Sequence, residues 1–146
     1  MPELPEVETI VRYLKPKIRG KRILRLWSNT PRLFRQGKNL NEINKLLTKQ
    51  TILNATRAGK NIVLILNGQF NLYIHLMMTG KLLWNHPRLN EKHIRFFMEL
   101  SSKNTLALHD IRKFGWIRLI KKEKAAILST TKDKVYKAFS LYLLDG

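Results

Sequence analysis

Residues 51–84, TILNATRAGKNIVLILNGQFNLYIHLMMTGKLLW, decide what kind of fold this chain adopts. Four short β-type runs follow one another there: Thr51–Arg57, Asn61–Leu66, Asn71–Leu76 and Gly80–Trp84. Such runs suit a pleated, half-buried surface. Between the second and third stands Asn67-Gly68, a pair that tolerates the positive φ values of a tight hairpin turn. Downstream come Ile94–Leu100, Thr105–His109 and Trp116–Ile120, with Ser101–Asn104 as a second turn. Upstream, Ile23, Leu24, Leu26 and Trp27 suggest one more strand, closed by Ser28-Asn29-Thr30-Pro31. Seven or eight short strands with closely spaced turns indicate a β-sandwich or barrel.

Helices frame this β region. Leu4 precedes Pro5, which suits an extended residue followed by the first position of a helix. Glu6 and Glu8 are expected in the first turn, where the helix dipole favours them. Val7, Ile10, Val11 and Leu14 recur at helical spacing, and Pro16 with Gly20 is expected to end the element. Asn39–Lys49 reads as a second, short helix with Leu40, Ile43, Leu46 and Leu47 on one side. Beyond the last strand, Lys121–Lys137 is basic and mixed and Ala138–Leu144 largely apolar, so a further helix is expected.

The chain has 146 residues, enough for one domain with a proper core. Lys and Arg number 28 against 10 Asp and Glu, a formal charge of +18. Self-repulsion on that scale implies a polyanionic partner: nucleic acid, an anionic membrane surface or an acidic protein. The cations run from Arg12 to Lys137, which favours a folded basic face over a basic tail. There is no cysteine, so disulfides, thiolate chemistry and cysteine–zinc sites are excluded from this sequence. The histidines (His75, His86, His93, His109) show no paired metal-ligand spacing. No run reaches transmembrane length and no signal peptide is evident, so a cytoplasmic location without membrane attachment is expected.

The first residues could carry chemistry. Removal of Met1 leaves Pro2 as a secondary amine with a pKa of roughly 7.7–8.0 before perturbation. Part of it is unprotonated at neutral pH and could attack a sugar C1′ to give a Schiff base. Glu3 and Glu6 lie beside it, and a carboxylic acid could protonate the ring oxygen as an oxocarbenium-like state develops. A Pro-Glu pair is also simply a good helix start.

The complete opening string, MPELPEVET (residues 1–9), resembles the N-terminal signature of formamidopyrimidine-DNA glycosylases, which remove oxidised purines and then cut the strand. Leu4 and the Val7-Glu8-Thr9 ending favour that branch over the related endonuclease VIII. Further motifs are similar and in the same order. Arg57-Ala58-Gly59-Lys60 resembles a strand–turn segment whose lysine, here Lys60, holds a phosphate next to the lesion. Ile74–Gly80 resembles the family's His-Leu-Gly-Met-Thr/Ser-Gly loop. There His75 would bind the DNA backbone and Met78 would fill the gap left by a flipped nucleotide. Met77 stands where the family has glycine. His109–Gly115 resembles Asp-Pro-Arg-Arg-Phe-Gly, so Arg112 would pair with the orphaned base and Phe114 would wedge into the stack. Ile111 replaces the proline of that pattern and Lys113 its second arginine. Extrusion of a base costs unstacking energy, and apolar or cationic side chains must fill the hole. Lys92-His93 with Arg95 also resembles a family pair that precedes a strand.

The resemblance covers about residues 2–120 and implies a mostly β, α+β fold: a two-sheet sandwich of about eight strands, with the N-terminal helix carrying the catalytic terminus. Residues 1–120 would be the glycosylase N-terminal catalytic domain and 121–146 a divergent, helical tail. The family's helix–two-turn–helix module and four-cysteine zinc finger find no counterpart, so no cofactor is expected in this chain, which reads as a truncated gene product, a frameshifted relative, an isolated domain or a natural one-domain variant. The implied activity is that of a bifunctional DNA glycosylase/AP lyase, with Pro2, Glu3 and Lys60 catalytic and Glu6 supporting. Its partner would be duplex DNA with oxidised purines or abasic sites, bound by a monomer through His75, Met78, Arg112 and Phe114. Two alternatives stand beside it: a non-catalytic DNA-binding remnant of the same family, and a basic RNA- or ribosome-associated protein whose terminus matches by accident.

Overall fold

A computed structural model describes residues 4–30, 33–34, 39–89 and 91–122. Pro2 and Glu3 lie outside the described residues, as does the helix expected over 121–146 apart from its first two residues, of which Lys121 belongs to the last strand. Among those described, the order is α1 (Leu4–Ile18), β1 (Ile23–Ser28), α2 (Leu40–Leu47), β2 (Ile52–Ala58), β3 (Asn61–Leu66), β4 (Phe70–His75), β5 (Lys81–Trp84), β6 (Ile94–Leu100), β7 (Asn104–His109) and β8 (Trp116–Lys121). The strands form two antiparallel four-stranded sheets, β1-β6-β7-β5 and β2-β3-β4-β8. The expected sandwich is therefore the observed one. Asn67-Gly68 joins β3 to β4 and a short 3-10 turn, Ser101–Lys103, joins β6 to β7, as the turn residues indicate.

The main core combines the inner faces of both sheets with one side of each helix. Ile62, Leu64, Leu72, Ile74, Ile117 and Leu119 meet Leu26, Phe96, Met98, Leu106 and Leu108, all essentially without solvent contact. Each such side chain contributes about 1.5–3 kcal/mol on burial. Val7, Val11, Leu14 and Ile18 of α1 and Ile43 and Leu47 of α2 join the same cluster. Val63 and Tyr73 point the other way, and with Ala58 and Trp116 they make a second cluster on the opposite face of the β2-β3-β4-β8 sheet. Burial on both faces is why β3 and β4 read as nearly continuous apolar runs rather than alternating ones.

Pro16 does not end α1, contrary to the sequence expectation. The helix continues to Ile18, whose side chain is fully buried. Proline lacks an amide hydrogen and crowds the preceding turn, but Pro16 is exposed and close to the helix end, and anchoring Ile18 in the core outweighs that cost. Termination comes at Gly20, which takes φ +82° and donates its N–H to the Ile52 carbonyl at 2.8 Å. Glu8 likewise falls outside the first turn, which holds Glu6 alone as its acid.

The start of α2 follows local rules: the Asn39 side chain accepts from the Glu42 N–H at 2.9 Å. Asn44 has a second task. Its Oδ1 accepts from the Leu26 N–H at 2.8 Å, and its Nδ2 donates to the Leu26 carbonyl at 2.9 Å. One side-chain amide thus pairs with an edge strand as another strand would. Asn44→Ala leaves both Leu26 groups to find other partners and is expected to cost about 1–3 kcal/mol in urea unfolding.

Candidate functional site

Strand register gathers the sequence-derived candidates at one end of the sandwich. Asn61 pairs with His75, and His75 pairs in turn with Trp116, so three strand ends lie side by side. Lys60 occupies the β2–β3 turn next to Asn61, Met78 the β4–β5 connection, and Arg112 and Phe114 the β7–β8 connection. Because β4 pairs with β8 and β5 with β7, both connections cross between the sheets at this end. Glu6 and Ile10 of α1 face the first of them across a groove of about 440 Å³, which is also lined by Leu76, Met78, Thr79 and Lys81. The register thus brings together Lys60, His75, Met78, Arg112 and Phe114, with Glu6 across the groove.

Each element has an identifiable anchor. The His75 ring stacks on Trp116 at 5.1 Å, and its Nδ1 accepts from the Met77 N–H at 3.1 Å. In the neutral ring that bond leaves the proton on Nε2. Met77 has φ +53°, the left-handed region where glycine is favoured, so this chain accommodates a methionine at a strained position of the loop. Its side chain packs against the Ala58–Val63–Tyr73–Trp116 cluster. Gly80 permits no other residue without movement, because a Cβ there would stand 2.5 Å from the Leu76 carbonyl oxygen. Met78 itself is 54% exposed.

The second loop is built around Asp110, which is 1% exposed. Its Oδ2 accepts from the Gly115 N–H at 2.7 Å, and its Oδ1 accepts from the Arg112 N–H at 3.3 Å and from the Thr79 hydroxyl. The Asp110 carbonyl is held at 2.7 Å by Nε of Arg95, which is itself buried. Arg95 also donates to the Ile111 carbonyl at 3.3 Å. Lys113 turns through φ +60°, and the loop then presents Phe114, 41% exposed, with the Arg112 guanidinium 4.7 Å from its ring centre. An exposed methionine, an exposed phenylalanine and an arginine stacked on it thus project from a rigid base. Sequence reasoning missed the organising roles of Arg95, Asp110 and Thr79. Asp110, Thr79 and Arg95 all lay inside or beside quoted motifs, but nothing in those strings showed that Arg95 would be buried against the Asp110 carbonyl.

A third anchor ties α1 to the Lys60 turn. Glu8 accepts from Nε of Arg57 at 2.8 Å, and Arg57 reaches on to the Gly59 carbonyl at 3.0 Å. Arg12 approaches the same carboxylate at 3.6 Å. The Arg57 hydrogen bond is the main reason the Glu8 carboxyl lies below its ordinary value of 4.5, with the charges of Arg57, Arg12 and Lys15 adding to it against partial desolvation.

The cysteine-free chain offers no ligands for a four-cysteine zinc site, and no three His, Asp or Glu side chains gather among the described residues. None of the described helices is long and apolar enough to cross a membrane.

Together these features define a basic two-sheet sandwich domain with paired apolar and cationic loops crossing one end. The model of the formamidopyrimidine-DNA glycosylase N-terminal domain matches residues 1–117. A formamidopyrimidine-DNA glycosylase of Chloroflexus aurantiacus is 35% identical over 130 residues, covering 88% of this chain and 46% of the relative. The solved Lactococcus lactis formamidopyrimidine-DNA glycosylase, bound non-covalently to DNA containing an AP site, superposes with a TM-score of 0.76 at 33% identity. It covers 86% of this chain and 48% of that one. A structure of MutM in complex with carbocyclic 8-oxo-G containing DNA gives the same TM-score at 34% identity, covering 86% and 47%. The chain belongs to the formamidopyrimidine-DNA glycosylase family and corresponds to its N-terminal domain, spanning about half the length of these relatives.

The lowered Glu8 value sets a pH dependence. A carboxyl whose folded pKa is depressed contributes stability above its ordinary value and loses it as pH falls through the folded value. Glu8→Gln is therefore expected to lower urea stability at neutral pH, with the difference from the parent closing well below 4.5. A gap unchanged at acid pH would show that the charge is not what Arg57 recognises.

Proposed function

We propose that this domain carries the glycosylase and AP-lyase chemistry of base excision repair on duplex DNA containing oxidised purines or abasic sites. The observation that carries the reading is the clustering of Lys60, His75, Met78, Arg112 and Phe114 at the end of the sandwich where Glu6 lines a groove. Pro2 and Glu3 immediately precede the helix that supplies Glu6. The relatives solved on AP-site and 8-oxo-G DNA support the choice of partner. So does the charge of +18, since cations that neutralise phosphates supply affinity and make it salt-dependent.

In this mechanism Lys60 and His75 hold backbone phosphate on either side of the lesion. Met78 and Phe114 fill the space vacated by the flipped nucleotide, and Arg112 takes up the hydrogen-bonding edge of the base left behind. The neutral Pro2 amine donates its electron pair to C1′. The bond from C1′ to the damaged base breaks, its own electron pair leaves on the base, and the base takes up the proton released by the alkylated Pro2 nitrogen. Glu3 gives its proton to the ring oxygen, the bond from C1′ to that oxygen breaks as the sugar opens, and the nitrogen lone pair forms the iminium. Removal of a C2′ proton then expels the 3′ phosphate and cuts the strand. Glu6 adds negative charge at the wall of the groove. Residues 1–120 form the catalytic unit in this reading, acting as a monomer in the bacterial cytoplasm.

The test is borohydride trapping. The chain, with removal of Met1 confirmed by mass spectrometry, is mixed with abasic-site duplex and reduced, and a stable covalent adduct is expected. Blocking the Pro2 amine should abolish it; trapping that persists would move the nucleophile to a lysine, Lys60 first. Absence of any adduct would leave DNA binding without turnover. Lys60→Ala is expected to weaken binding uniformly across DNA sequences and to reduce the salt slope by about 1.

A further inference from the structure

Two connections cross between the sheets side by side, and each carries exposed groups suited to entering a duplex: Met78 on one, Arg112 and Phe114 on the other. Their link is specific. The Thr79 hydroxyl donates to Oδ1 of Asp110, and that same oxygen accepts from the Arg112 N–H. Oδ2 of Asp110 is engaged by the Gly115 N–H at 2.7 Å. The carboxylate thus receives donors from both loops at once, and Thr79 is the neighbour in sequence of Met78. Backbone packing adds to this: a Cβ on Gly115 would stand 3.0 Å from the His75 carbonyl oxygen, so the second loop closes against the end of β4.

We propose that Thr79 and Asp110 are positioning residues that lock the two loops into one body, so that Met78 and the Arg112–Phe114 pair enter damaged DNA together. Neither touches the reacting atoms. The inference rests on the DNA-repair reading above. Its physical content is that a side chain in the first loop holds the conformation of the second. A buried carboxylate keeps its place only while its donors are satisfied. Removing the Thr79 hydroxyl takes one of three donors from Asp110 and frees the oxygen that orients Arg112. Insertion of several groups into one site depends on their relative placement, and freedom between them lowers the effective concentration of the second group once the first is bound.

The test uses the full chain with Thr79→Val, which keeps the shape without the hydroxyl, Thr79→Ala, which removes it without adding a methyl, and Thr79→Ser, which keeps it. Amide hydrogen exchange on the free protein is expected to speed up at Arg112 and Gly115 in Val and Ala, with Ser close to the parent. A role confined to the first loop would leave those distant amides unchanged, and that result would overturn the coupling. Binding is then compared on intact duplex and on duplex carrying a tetrahydrofuran abasic analogue beside 2-aminopurine. Val and Ala should lose about five- to tenfold of the preference for the abasic duplex, with a reduced 2-aminopurine signal and unchanged affinity for intact DNA. Ser should restore both. Faster exchange with undiminished preference would overturn the joint-insertion role. A parent chain with no preference for abasic DNA would sink the repair reading and joint insertion with it, while the exchange result still decides whether the loops are coupled.

Discussion

A single buried carboxylate organises the working end of this domain. Asp110 sits at the end of β7, where the chain leaves one sheet for the other, and a carboxylate removed from water must replace its lost hydration with fixed donors. Those donors come from Thr79, Arg112 and Gly115, while Arg95 holds the carbonyl of the same residue. The result is a loop whose backbone is determined by satisfaction of one charged group. Phe114 and Arg112 can therefore stand in solvent without the loop collapsing onto the sandwich. Exposing an aromatic ring and a methionine disfavours the free protein, and the buried polar network holds them outward against that tendency.

Around this hub the fold acts as a frame. Pairing of Asn61, His75 and Trp116 across three strands brings the Lys60 turn, the histidine and the start of the crossing loop to one level. The Glu8–Arg57 contact then fixes α1 against the same turn. An exposed ion pair adds little stability by itself. Here its geometric consequence is larger: it orients the helix that follows directly on Pro2 and Glu3. Domain position and chemistry are linked through α1, whose buried face is set by the core and whose two flanks bear Glu6, at the groove, and Glu8, at Arg57.

Much of this was legible in the sequence, and the failures have definite causes. Strand placement followed from β-rich runs and from Asn67-Gly68, with boundaries differing by a residue or two because pairing, not composition, decides where a strand stops. Pro16 misled because a local breaker was outweighed by core burial of Ile18 two residues later. Glu8 read as a dipole partner and turned out to be an inter-element one, its distance from Arg57 along the chain concealing the contact. Met77 marked a departure from the family's glycine, and it stands here in the left-handed region that favours glycine.

The sequence by itself determined the strands, both helices and the membership signal at residues 1–9, because periodicity, turn chemistry and a contiguous motif are local properties. It also contained every residue of the candidate site as separate short strings. Only the tertiary structure decided that these strings share one end of a sandwich, and that Thr79 and Asp110, 31 residues apart, meet there. The physical reason is that hydrogen bonds and charge pairs act over a few ångströms of space. Which distant residues come within that range is set by sheet pairing and core packing, which no single stretch of the chain contains.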